Sequence, residues 1–216
     1  MSTDLFTSFL SSAVRVATPL LLAALGEMVA ERGGVINLSI EGAMLAGALG
    51  SALGATAAGP WAGAALAVCA GLLVAGIFAA IAVGARADQI ISGTALTLGS
   101  VGMTGAIYRS AYGPQGVGLS LPTFPVLPVP GVAKIPILGP ALFQQSALTY
   151  VGYLAAPVLW WVLFRTSWGL KLRAAGESAE NARAAGVRVS RIRTIAVLVG
   201  GALAGLAGAS LVLGQV

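Results

Sequence analysis

Asn37, Ser39 and Glu41 stand at alternate positions at the head of one apolar run, and Ser92, Thr94 and Thr97 stand near the head of another. Amides, hydroxyls and a carboxylate in such places hold a polar solute by hydrogen bonds, and an ionisable residue entering an apolar segment usually faces a bundle interior or a cavity. Plainer roles exist for each: Glu41 can favour a helix N-terminus, and Ser or Thr can bond back to its own helix. Bond-breaking chemistry has less to work with. With no histidine and one cysteine, Cys69, there is no zinc ligand set and no imidazole base. No nucleophile and base stand in a recognisable pair. Lys134 and Lys171 follow Ala133 and Leu170, so no G-x-x-x-x-G-K-[ST] phosphate loop can be built. Cys69 lies in an apolar run, where it cannot form an internal disulfide and is expected to be a small buried packing residue.

The elements that must position these residues are membrane spans. The chain is 57% hydrophobic and 9% charged, with 30 glycines and a mean hydropathy of +0.92. That composition excludes an ordinary soluble domain and implies an all-α, polytopic helical membrane protein with about six spans, some of them broken. Residues 3–12 read as an interfacial or poorly ordered lead-in. The start lacks a basic region and a cleavage site, so no secretory signal peptide is expected. Spans are expected from about Ala13 to Val29, up to about Ala57 with the pair Gly50 and Gly54, from Trp61 to Val83, from Ile90 to Ile107, from Ala147 to Phe164, and from Thr194 onward with the pair Gly201 and Gly205. Residues 111–145 carry seven of the ten prolines and read as a long extracytoplasmic loop without regular helix.

Residues 165–193 form the one long polar interruption. Seven of the twelve basic residues lie there against two acids, Glu177 and Glu180, so the whole net charge of +5 sits in one loop between apolar runs. This is the signature of a cytoplasmic loop and explains the basic balance without nucleic acid. Arg32 and Arg86 fall on the same side when spans are counted back, which leaves the N-terminus outside if the first segment crosses fully. Within the loop Ala175, Ala179, Ala182 and Gly186 recur at helical spacing, a small-residue face to which a partner could dock, with Gly186 as a left-handed stop. A merely solvated inter-helix loop is the simpler alternative.

Glu31–Leu45 (ERGGVINLSIEGAML), Asp88–Gly93, Gly176 to Gly186 and Gly201–Gly208 resemble permease subunits of bacterial ABC importers of the branched-chain amino acid and simple-sugar class. The first run most resembles the nucleoside-type permeases that work with a purine-nucleoside-binding lipoprotein. Family members usually continue through further spans, and many carry Asn where this chain has Thr97. The resemblance implies a multi-pass subunit of the bacterial cell membrane that is not an enzyme and binds no cofactor of its own. Its partners would be a cytoplasmic ABC ATPase that hydrolyses the ATP, a second permease subunit, identical or paralogous, and an extracytoplasmic substrate-binding protein. Residues 165–193 would be the coupling loop, with Gly176, Glu177, Ala182, Ala185 and Gly186 against the ATPase. Asn37, Ser39, Glu41, Ser92, Thr94 and Thr97 would then meet the ribose hydroxyls or base edge of a nucleoside or a similar polar molecule. The alternative is an ion-coupled secondary carrier, for which only Glu27 and Glu41 come near mid-span.

Overall fold

In the computed structural model, which describes residues 2–113 and 121–214 apart from the side chains of residues 2–4 and 134, six helices are long and apolar enough to cross a membrane. They are α1 (Ser2–Arg32), α2 (Ile40–Ala58), α3 (Pro60–Phe78, continued by a π-helical turn Ala79–Gly84), α4 (Gln89–Tyr112), α6 (Ala147–Arg165) and α9 (Val189–Leu213). Three short helices, α5 (Leu138–Phe143), α7 (Ser167–Glu177) and α8 (Ala179–Ala184), lie between them. At about 1.5 Å per residue, the spans of 19 to 28 residues reach across a hydrocarbon core of about 30 Å.

Residues 3–12 belong to α1 and are not a separate lead-in, and Leu5–Arg32 is long and apolar enough to cross a membrane. Pro19 interrupts its ladder, and Thr18 turns its hydroxyl to Val14 O at 2.9 Å in the same turn, a local adjustment of the kind that lets proline sit in a span. Ser11 of α1 accepts a hydrogen bond from Gln145, so the N-terminal half lies at the end of the bundle opposite the basic loop.

α9 is the central element, packed on α1, α2 and α3. The glycines allow this, because in lipid helices associate through backbone approach. A Cβ on Gly47 of α2 would lie 2.6 Å from Gly205 O, and one on Gly71 of α3 would lie 2.9 Å from Gly205 Cα. Gly50 and Gly54 likewise face the α3 backbone at Leu66 and Ala62. Since three helices meet at Gly205, Gly205→Val should cost more than the ordinary overpacking range of about 1–3 kcal/mol. Thermal unfolding of the purified protein in detergent should show a large drop in midpoint, against little change for Gly99→Ala, where a Cβ meets open space.

Two further expectations need correction. Cys69 is exposed on α3, not buried. The long loop, within its described residues, is a folded cap. Leu127–Pro128 pairs antiparallel with Gln144–Gln145, a 3₁₀ turn spans Val132–Lys134, and α5 follows. Phe124 is 2% exposed and meets Trp61 edge-on at 4.9 Å. Its N–H donates to Leu213 O at 3.0 Å. Prolines remove backbone donors, and the groups left over find partners here in side chains and span ends, as when Tyr150 donates to Leu127 O at 2.8 Å.

Candidate functional site

α1 ends in a glycine stop: Gly34 has φ +75°, Gly34 N donates to Glu31 O at 2.8 Å and Val35 N to Ala30 O at 3.1 Å. This is a Schellman closure, and Val35 and Ala30 are buried in one cluster as its apolar contact. The chain then stays unwound to Ser39 before α2 begins. Backbone outside a helix needs partners for its N–H and C=O groups, and it has them. Ile36 N donates to Gln89 Oε1 and Asn37 N to Glu27 Oε1, both at 2.8 Å, and Thr97 donates its hydroxyl to Leu38 O at 2.9 Å. Asn37 Oδ1 accepts from Ser39 N at 3.1 Å and from Ser39 Oγ at 2.6 Å. Gly93 permits the approach of α4, since a Cβ there would lie 2.7 Å from Leu38 Cβ.

Beside this segment a cavity of about 470 Å³ opens between α1, α2 and α4. Glu41, Thr94 and Thr97 line it as expected from the sequence, with Asn37 at its wall. Ser39 does not: it is fully buried and spent on Asn37. Ser92 does not line it either. Glu41 is exposed in the first turn of α2 and makes no capping hydrogen bond. Thr94 bonds back to Ile90 O at 2.9 Å, and Thr104 to Ser100 O at 2.6 Å, so part of the hydroxyl enrichment of α4 serves its own helix.

Glu27 and Glu31 complete the lining from the last two turns of α1. Glu27 was legible as a carboxylate inside an apolar run, but its meeting with Asn37 depends on how α1 folds back. Glu27 Oε2 is buried with no hydrogen-bond partner among the described residues. The lining thus holds three carboxylates, one amide and two hydroxyls, with no Lys or Arg.

The basic loop reaches this site through Arg193. Its Nε donates to Gly33 O at 2.8 Å and an Nη to Ala175 O at 3.2 Å, tying α9 to the end of α1 and to α7. Gly176 packs directly on the Arg32 carbonyl, where no side chain would fit. The loop itself is two helices, not one, because the chain breaks at Ser178, which accepts from Asn181 N at 3.3 Å as the N-cap of α8. α8 closes in a second Schellman motif: Gly186 has φ +79°, Gly186 N donates to Arg183 O and Val187 N to Ala182 O, both at 2.9 Å. Ala175 and Ala182 are buried against Val189 of α9. Of the expected free face, Ala175 and Ala182 are therefore turned inward and Ala179 is half-buried, since alanine-sized side chains let these short helices lie close on the bundle. Glu177, Ala185 and Gly186 are exposed, and Gly176 is partly buried between helices.

Over 207 residues the chain is 39% identical to a putative glucose ABC transporter permease of Haloferax volcanii, covering 94% of this chain and 61% of that one. It is 36% identical over 202 residues to a guanosine ABC transporter permease of Bacillus subtilis, covering 89% and 63%. It is 33% identical over 201 residues to a nucleoside ABC transporter permease of Lactococcus lactis, again covering 89% and 63%. The chain thus spans about three-fifths of the length of these curated relatives. No solved structure matches. The family described as branched-chain amino acid transport system / permease component matches residues 9–216, and with six candidate spans, α9 among them, the chain is a multi-pass membrane protein that belongs to that family.

Proposed function

We propose that this chain forms the translocation path of an ATP-binding cassette importer, carries no catalytic activity itself, and is driven by a separate cytoplasmic ATPase. A second permease subunit and an extracytoplasmic substrate-binding protein would complete the assembly. The observation that carries this reading is the clamp at Arg193, which joins the loop helices to the unwound segment at the wall of the cavity. A push on α7 and α8 has a rigid route to the place where a solute would sit.

The solute we infer is neutral and rich in hydroxyls, such as a nucleoside or a sugar. Carboxylate and amide oxygens accept from hydroxyl donors, and an acidic lining without a basic residue opposes phosphates and free carboxylates. The names of the relatives, glucose, guanosine and nucleoside permeases, agree with this class. The test is reconstitution of the full-length protein with its cognate ATPase in liposomes. Uptake of a nucleoside or sugar should require ATP hydrolysis by the ATPase; uptake driven by an ion gradient without it would establish the carrier alternative instead.

Arg32, Arg86 and the basic loop share one end of the bundle, which by charge asymmetry faces the cytoplasm. In a Cys69→Ala background, a cysteine replacing exposed Ile135 should react with an impermeant thiol reagent added to intact cells. One replacing exposed Glu180 should react only after the membrane is opened. The reverse pattern would invert the orientation.

A further inference from the structure

A second cavity, of about 370 Å³, lies at the basic end between α4, α8, α9 and the π-helical turn. Its polar lining is Arg86, Arg183, Arg193, Gln89 and Ser190, with no carboxylate. Asp88 is next in sequence to this wall, but its carboxylate is turned to cap α4, accepting from Ile90 N and Ile91 N at 2.9 Å. The Arg193 guanidinium is held by its carbonyl partners, whereas the guanidinium groups of Arg86 and Arg183 make no hydrogen bond among the described residues. Arg86 and Arg183 are exposed, so solvent screens part of their repulsion, but three like charges around one hollow make a positive region that draws an anion.

Two further features aim at the same place. Arg86 has φ +58°, a left-handed conformation unfavourable for a long side chain. It follows the π turn, where Ala85 N donates to Ala80 O at 2.9 Å and Ala87 N to Ile81 O at 3.2 Å, and these bonds hold it in the cavity wall. α9 begins in the lining at Val189 and Ser190 with no side-chain cap; Val189 N donates to Val187 O at 3.0 Å, which leaves the Ser190 N–H in this wall without a side-chain partner. We infer that this cavity binds a phosphate-bearing anion, either the headgroup of an anionic phospholipid or free phosphate. The inference stands whatever solute the permease carries. Leu73, Ile77 and Ile81 recur at i, i+4 spacing as exposed apolar residues leading along α3 and its π turn toward this end, a surface on which acyl chains could lie.

The test is native mass spectrometry of the delipidated full-length protein in detergent, offered phosphatidylglycerol or phosphatidylcholine of matched chains and, separately, inorganic phosphate. Phosphatidylglycerol should be retained over phosphatidylcholine by on the order of 25-fold, with Arg86 and Arg183 contributing roughly fivefold each. The preference should vanish in Arg86→Asn/Arg183→Gln, in which asparagine tolerates the left-handed backbone. It should survive in Arg188→Gln/Arg191→Gln, which removes equal charge from two exposed positions outside the lining. Phosphate binding with the same variant pattern, but no preference between lipids, would identify free phosphate as the occupant. Should the cavity double variant not fold, Arg183→Gln alone, at an exposed side chain, should lose roughly fivefold. Absence of both kinds of binding, equal loss in the two double variants, or full retention in the cavity variants would overturn the inference.

Discussion

Arg193→Met should leave the protein inserted in the membrane but disconnect its loop helices from the solute cavity. Among the described residues the guanidinium is the single group that hydrogen-bonds both Gly33 O and Ala175 O, carbonyls 142 residues apart in the chain yet neighbours at the basic end. Methionine keeps the stem and removes both donors. A hydrogen bond from a charged donor is worth about 1.5–3 kcal/mol, and these are only partly buried, so a loss on the order of 2–3 kcal/mol is expected for the pair. Stability should drop moderately. Solute-stimulated ATP hydrolysis in the reconstituted complex should fall by an order of magnitude or more, because the strain imposed on α7 no longer reaches residues 33–39. Arg193→Lys, which can reach one carbonyl but not fork between two, should fall between. Normal stimulation in the Met variant, with the complex intact, would show that motion passes by another route.

Asn37→Leu should abolish uptake more completely than any change to a residue that merely faces the cavity. Asn37 is 2% exposed, and its side-chain oxygen satisfies both the N–H and the hydroxyl of fully buried Ser39. Leucine leaves those two groups without a partner at about 1–3 kcal/mol each, in the one segment of this region whose backbone has no helix to fall back on. The unwound turn should rearrange and carry Ile36 and Leu38 away from Gln89 and Thr97. Asn37→Asp keeps the acceptor oxygen and should retain part of the activity. Glu41→Gln, at an exposed position in the lining, should weaken solute affinity without loss of stability. Equal stability of Asn37→Leu and the unaltered protein in thermal unfolding would refute this account of the turn.

The local features of this protein were readable in the chain itself. Glycine stops at Gly34 and Gly186 require only the residues around them, and the charge surplus of residues 165–193 is a matter of counting. Span number follows from length and hydropathy, and the pairs Gly50/Gly54 and Gly201/Gly205 announced where backbones approach. Which face of each helix points where was not readable, because helices that are apolar nearly all round carry no stripe to separate a protein-facing side from a lipid-facing one. So Cys69 reads as buried and is exposed, and Ala182 reads as a free docking face and is core. The candidate site divides along the same line. Asn37, Glu41, Thr94 and Thr97 are polar in apolar runs and stand out in the sequence. The tertiary structure decided that Ser92 stays out of the lining, that Glu27 turns to Asn37, and that Arg193 ties the loop helices to Gly33 across 160 residues of chain. The bond of Ser39 to Asn37, two residues away, is local, but which of the two reaches the cavity wall depends on how α1, α2 and α4 pack.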